Sequence, residues 1–220
     1  VDTLINRCIF VIGTGRSGTS AVANVLHHLG VFMGAKLSAP GPTNRWGNYE
    51  DREFYEFNRA MAHGGTLEKG QPLKVGTWEG RAITIPEGIE RFKSFQAARS
   101  SYPIWGVKDP GLCYTLPVLA LLIEDLRVIV ARRPAEESIA SYRRAYGASA
   151  REASEWYYDV RKALDANLLQ FRGPLMEVQF RDLLTDTKVV VNSIVEFVFD
   201  GMDKPGDDVI EAACGVVVNS

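Results

Sequence analysis

The sequence predicts an α/β fold in which a parallel sheet is covered by helices on both faces. Three observations carry this reading. Cys8–Ile12 is a short apolar run rich in branched residues, the pattern of a strand buried on both faces. It breaks into Gly13-Thr14-Gly15-Arg16-Ser17-Gly18-Thr19-Ser20, after which Ala21, Val22, Val25, Leu26 and Leu29 recur at helical spacing. Further strand-like and helix-like segments then alternate to the end of the chain, the arrangement of βα units in a parallel sheet.

After the first helix, Gly30–Gly34 reads as a short strand or an extended link, and Ser38–Gly47 as a loop. Asn48 is placed as the N-cap of a helix from Tyr49 or Glu50 to about Ala62, with Phe54, Phe57 and Met61 facing inward. His63–Thr84 is glycine-rich and carries no clear period. Pro86 opens a helix over Glu87–Ser100. Ile104–Lys108 is a second strand, Tyr114–Ile123 a helix, and Leu126–Ala131 a third strand. Helices are expected at Ala135–Tyr146 and at about Ala150–Phe171. The latter carries a stripe of Ala153, Trp156, Val160, Leu164, Leu168 and Phe171 that reads as packing. Leu175–Phe180 is a fourth strand, Lys188–Phe199 a helix, and Asp207–Ala213 a short last helix. No repeat or linker divides the 220 residues, so the whole chain is expected to be one domain.

Composition limits the function. Lys+Arg 25 against Asp+Glu 27 leaves a formal charge of -2, so no overall field favours nucleic acid or anionic membrane. No apolar run approaches the length of a membrane span. Cys8, Cys113 and Cys214 form neither a zinc pattern nor a disulfide framework, which fits a reducing cytoplasm.

A strand, a glycine-rich turn and a helix N-terminus together direct backbone N–H groups at an anion, and the loop reads as a phosphate site. Its spacing fits the dinucleotide pattern G-x-G-x-x-G, but Val31–Tyr49 holds no acid to bind a ribose. It also fits the kinase pattern G-x-x-x-x-G-K-[ST], except that Thr19 stands where the lysine belongs. A third arrangement places the cation earlier, at Arg16. In a parallel sheet the strand ends near Gly13, Lys108 and Arg132 would face one crevice, and each exit turn carries a cation.

Arg16-Ser17-Gly18-Thr19-Ser20 resembles the 5′-phosphosulfate loop of sulfotransferases that use 3′-phosphoadenosine 5′-phosphosulfate (PAPS). Val130–Pro134 with Ser141 is similar to their 3′-phosphate segment, and Trp105–Pro110 to the Lys-Asp-Pro segment of bacterial members. Asn44–Asp51 resembles their Asn-x-x-Gly-x-x-Glu-Asp segment, and Val178–Leu184 their Tyr-Glu-Asp-Leu segment. The matches come in family order across about Cys8–Phe199.

The resemblance implies a three-layer, P-loop-NTPase-like fold and transfer of a sulfuryl group to a hydroxyl or amine of a small-molecule or carbohydrate acceptor. It implies PAPS as cofactor, adenosine 3′,5′-bisphosphate as product, and no metal. Gly15, Arg16, Ser17, Gly18, Thr19 and Ser20 would hold the phosphosulfate. Arg132 or Arg133 with Ser141 would hold the 3′-phosphate; Arg132 is preferred, although the familiar Arg-to-Ser spacing is one residue shorter than Arg132 to Ser141, and Ser138 is a further candidate. Arg16, Lys108 and Glu50 would carry the chemistry, Glu50 as the base. Gly111 departs from the arginine that usually follows Lys-Asp-Pro. The alternatives are a P-loop nucleotide or small-molecule kinase and a catalytically silent nucleotide-binding relative.

Overall fold

The structure is a computed structural model that describes residues 6–39, 41, 44, 47–62, 77–78, 81–82 and 85–218. Its centre is a parallel sheet of β1 (Arg7–Ile12), β4 (Ile104–Lys108), β5 (Leu126–Arg132) and β6 (Leu175–Gln179) in the order β4-β1-β5-β6. A small antiparallel ladder, β2 (Thr77–Trp78) and β3 (Arg81–Ala82), lies in the segment whose sequence shows no period; the rest of His63–Thr84 lies outside the described residues.

Residues Cys8–Ile12 are 0% exposed, and their alternation divides the core in two. Cys8, Phe10 and Ile12 face one layer, built from α2 (Arg52–Ala62), α3 (Ile85–Ala97), α4 (Leu112–Leu119) and α6 (Ala150–Leu168). Ile9 and Val11 face the other, built from α1 (Thr19–His28), α8 (Thr187–Val198) and α9 (Asp207–Val218). α5 (Ala135–Tyr146) packs on α6, and α7 (Phe180–Thr185) follows β6 directly. This is the layered α/β fold that the sequence predicts. Among the described residues no helix is long and apolar enough to cross a membrane, and the three cysteines are free and buried.

Several boundaries differ from expectation for local reasons. The β4–α4 turn carries the helix start back to Leu112, and the helix closes through a short 3₁₀ turn at Ala120–Leu122 rather than running to Ile123. Phe180 leaves the strand and opens α7, a helix that the sequence pattern does not reveal. Gly30–Gly34 is an extended link, joined to the sheet by hydrogen bonds of Phe32 with the Ile104 carbonyl and the Gly106 N–H. Cations at the N-terminal end of the sheet serve the fold: Arg7 donates to the carbonyls of Val198 and Asp200, both at 2.8 Å, and so closes the C-terminus of α8.

α2 positions Glu50, which stands just before its first turn. Asn48 is not the cap of this helix. Asp51 is: its Oδ1 accepts the N–H groups of Glu53 at 3.0 Å and Phe54 at 3.3 Å. Its other oxygen pairs with Arg99 at 2.9 Å, with side-chain exposures of 2% and 5%. Gly34, at φ 135, leaves room for this carboxylate, since a Cβ there would lie 2.2 Å from Asp51 Oδ2.

A second buried contact ties α2 to the exit of β4. Thr115 donates its hydroxyl to Asn58 Oδ1 at 2.6 Å, and the Gly111 N–H donates to Asp109 Oδ1. Among the described residues neither Asn58 Nδ2 nor Asp109 Oδ2 makes a well-formed hydrogen bond, although the Asn58 amide lies near enough to the Asp109 carboxyl to oppose its rise. Burial pushes the Asp109 carboxyl up to about 7, with the charge of Glu50 adding to the rise and the Gly111 N–H and Lys108 opposing it.

These buried acids give two predictions. Asp51→Ala strips a buried guanidinium of its counter-charge and removes a cap, and should cost about 3–5 kcal/mol in urea denaturation. Asp51→Asn, which keeps the cap acceptor, should cost less. For Asp109, the folded protein keeps the proton to about pH 7, whereas the unfolded chain releases it near 3.8. Its contribution to stability therefore falls as pH rises through that window and is flat above it. Asp109→Asn should be more stable than the parent at pH 8, and the difference should shrink in melts at pH 5.

Candidate active site

The loop after β1 is shaped by close contacts as much as by flexibility. Arg16 sits at φ 68 and Gly18 at φ 99, so the chain turns through two left-handed residues. At Gly18 a Cβ would also lie 2.3 Å from the ring of Phe180. At Gly15 the constraint is space: a Cβ would meet the Trp156 ring at 2.2 Å. Thr19 and Ser20 begin α1, where the first N–H groups of a helix have no partner within it.

These residues open onto a cavity of about 500 Å³ at the carboxyl ends of the strands, lined among others by Gly15, Arg16, Gly18, Thr19 and Ser20. Ser17 is not among the lining residues. Its side chain is fully buried, and its hydroxyl, without a hydrogen-bond partner among the described residues, lies 2.5 Å from where a Gly13 Cβ would stand.

On the β5 side the two arginines diverge. Arg132 is held by carboxylates, Glu177 at 2.7 Å and Asp165 at 3.2 Å, and does not line the cavity. Arg133 does line it. Its guanidinium lies over the Phe180 ring at 4.9 Å, contacts Glu137 at 3.0 Å and donates to the Arg16 carbonyl at 3.4 Å. Ser141 accepts from Arg16 Nε at 3.2 Å and also faces the cavity. Ser138 is fully buried away from it, its hydroxyl without a partner among the described residues. The geometry thus joins Ser141 to Arg133 and Arg16 and leaves the preferred Arg132 outside: consecutive strand residues point to opposite sides, and Arg132 still belongs to β5.

At the β4 end, Lys108 Nζ contacts Glu50 Oε1 at 2.7 Å, with side-chain exposures of 5% and 13%. Glu50 is delivered by a tight turn. Asn44 donates to the Gly47 carbonyl at 2.7 Å and to Asn48 Oδ1 at 3.0 Å, and Gly47 and Tyr49 adopt φ 88 and 53. Its backbone is then fixed by Ser38 N–H, which donates to the Glu50 carbonyl at 2.8 Å. Gly111, where an arginine would be familiar, faces α2: a Cβ there would lie 2.9 Å from both Asn58 Nδ2 and Asp109 Oδ1. His27 and His28 close α1 and do not line the cavity; His63 lies outside the described residues.

The aromatic lining is where sequence reasoning falls short. Ala153, Val160 and Leu164 of the α6 stripe are buried as expected, but Trp156 lines the cavity and stacks on Tyr142 at 4.1 Å and 26°. Tyr55, Tyr146 and Phe180 line it as well. For Tyr142 a signal exists, because it directly follows Ser141. For Trp156 there is none, because a helical stripe cannot distinguish its buried end from the end that reaches an opening.

A cavity with cations at the phosphate loop and at Arg133, and an acid–lysine pair at the opposite end, can hold an anionic nucleotide beside a group that accepts a proton. A search of curated proteins finds no match. The fold is similar to that of the sulfotransferase STF1 from Mycobacterium tuberculosis H37Rv, with a TM-score of 0.58 at 18% identity over 100% of this chain and 73% of that one. It is similar to the sulfotransferase domain of the Synechococcus PCC 7002 olefin synthase, at 0.58 and 16% identity over 96% of this chain and 78% of that one. The sulfotransferase STF9 from Mycobacterium avium gives 0.53 and 16% over 98% and 68% respectively. A sequence model of the sulfotransferase family matches residues 8–199. The match spans most of the chain and includes the phosphate loop, both cationic strand ends and Glu50: the chain belongs to the sulfotransferase family.

Proposed function

We propose that the protein transfers the sulfuryl group of PAPS to a hydroxyl or amine of a small-molecule or carbohydrate acceptor, with Glu50 as the base. The observation that carries this reading is the convergence of Arg16, Arg133, Ser141 and the α1 N-terminus on one cavity whose other end is the Glu50–Lys108 pair. Bound PAPS would supply an activated sulfuryl group and leave as adenosine 3′,5′-bisphosphate.

The residues present suit that nucleotide. The unpaired N–H groups at the start of α1 and the Arg16 guanidinium would take the 5′-phosphosulfate. Arg133 and Ser141 would take the 3′-phosphate, and Arg133 also stands one residue nearer Ser141 than Arg132 does. Phe180, already under the Arg133 guanidinium and against Gly18, offers a flat wall for the adenine ring. Lys108 places positive charge where negative charge grows as the sulfuryl group leaves. Glu50 would receive the acceptor proton. In the free protein these last two groups neutralise one another, so neither is buried as a lone charge.

Two measurements test the assignment. Adenosine 3′,5′-bisphosphate should raise the melting temperature well above the effect of 5′-AMP at equal concentration. Arg133→Ala should erase that difference and Arg132→Ala should preserve it; the opposite result would return the role to Arg132. Glu50→Gln should lower turnover on the order of 10²- to 10⁴-fold with little change in bisphosphate affinity. Near-normal turnover would leave Glu50 only as the counter-ion of Lys108.

A further inference from the structure

One buried carboxyl beside the site has no part in the reaction described above. Asp109 directly follows Lys108 and is 2% exposed. It does not line the cavity, although Lys108 and Pro110 on either side of it do. Its Oδ1 accepts the Gly111 N–H and so closes the exit turn that follows Lys108. The turn is packed on α2, since a Cβ at Gly111 would lie 2.9 Å from both Asn58 Nδ2 and Asp109 Oδ1. Thr115 of α4 donates to the Asn58 oxygen at 2.6 Å, which leaves the amide nitrogen facing the turn. α2 itself begins two residues after Glu50. The lysine and the proposed base are each joined through a short stretch of chain to this one buried polar contact.

Charge gives the contact a second role. Facing Asp109 are Lys108 on its own strand, Glu50 ahead of α2 and the neutral Asn58 of α2. From α4 comes the Cys113 thiol, pushed up to about 12 by burial and therefore uncharged, which donates to the Gly13 carbonyl at 3.4 Å. On the α6 side Asn167 donates to the Cys113 carbonyl at 2.7 Å. Lys108 thus acts on two carboxyls, of which Glu50 holds it at 2.7 Å. With Asp109 protonated, Lys108 and Glu50 balance one another. An ionised Asp109 adds a negative charge in a place with little water, and such a charge must find a cation. Lys108 is the residue next to it. Burial keeps Asp109 protonated to about pH 7, and the charge of Glu50 contributes to that, so the two carboxyls are coupled.

We propose that Asp109 is the positioning residue of the Glu50–Lys108 pair: as a neutral acid it closes the turn and leaves Lys108 to the cavity, and once ionised it draws Lys108 away. This rests on the sulfuryl-transfer reading, in which Lys108 meets the departing sulfuryl group. Asp109 touches no reactant and acts through its neighbour.

The test pairs a titration with a binding ratio. Isotope-edited carboxyl NMR follows the protonation of Asp109 in the parent and in Glu50→Gln. The midpoint should fall by about one pH unit or more in the variant, because a repelling charge is lost and Lys108 is released. Dissociation constants for PAPS and for adenosine 3′,5′-bisphosphate are then measured from about pH 6 to about pH 8.5, across the titration of a buried acid. The proteins are the parent and Asp109→Asn, whose side-chain oxygen can still accept the Gly111 N–H. The ratio of the two constants isolates the sulfuryl end, and the ionisation of the ligands themselves is common to both proteins. Over that range the parent should lose about five- to tenfold more PAPS affinity, relative to the bisphosphate, than Asp109→Asn does. A midpoint unmoved by Glu50→Gln, or the same pH course of the ratio in both proteins, would overturn the proposal. So would an Asp109→Asn protein that binds PAPS poorly at the acidic end, because the ionised carboxylate would then be the active form. If the parent binds neither nucleotide at any pH, the sulfuryl-transfer reading falls first, and this inference falls with it whatever the titration shows.

Discussion

Complete burial of β1 is the constraint on which the rest of the structure depends. A strand covered on both faces has no side of its own to offer solvent, so from Cys8 to Ile12 its residues are apolar, the buried Arg7 before them is held by partners, and its neighbours form two layers. Polar function is displaced to the point where the strand emerges. There the chain meets a helix N-terminus, and the same short stretch supplies both the covering helix and the anion-binding turn. β4 and β5 run parallel to β1 and emerge at the same end, which brings Lys108 and Arg133 to the loop without long-range design of their positions.

The charge pattern shows how a nearly neutral chain builds a local cation site. Arg7 and Arg127 are at the entry end of the strands, where Arg7 holds the Asp125 carboxylate and both arginines reach the C-terminal end of α8. Arg132 is neutralised by Glu177 and Asp165 beside β6. Arg16 and Arg133 remain at the cavity, with Arg133 only partly balanced by Glu137. Location in the parallel sheet, rather than the number of basic residues, separates structural cations from those that can meet an anion.

Much of this is legible in the sequence because the signals are local. An apolar run before clustered glycines identifies strand, loop and helix from neighbouring residues alone, the loop and strand-exit pattern points to Arg16 and Lys108, and Glu50 comes to notice only through the resemblance of Asn44–Asp51 to a family segment. What escapes depends on tertiary contact. Asp51 caps α2 in place of Asn48 because Arg99, far along the chain, holds its second oxygen. Arg132 and Arg133 are adjacent in sequence, and only the pleat of β5 against β6 decides which of them meets Glu177. Phe180 ends a strand and begins a helix in one step, and its role beneath Arg133 emerges only when the two strand ends are side by side.

The contact between Gly15 and Trp156 has a consequence for how the protein can change over time. Because the indole occupies the space of a missing methyl group, the phosphate loop and α6 are not independent targets of substitution. A side chain at position 15 requires a smaller residue at 156, and a smaller residue at 156 opens a gap under the loop. Diversification of the ring-lined wall is therefore directed outward, toward Tyr142 and Tyr146, while the position against the glycine stays tied to the shape of the anion-binding turn.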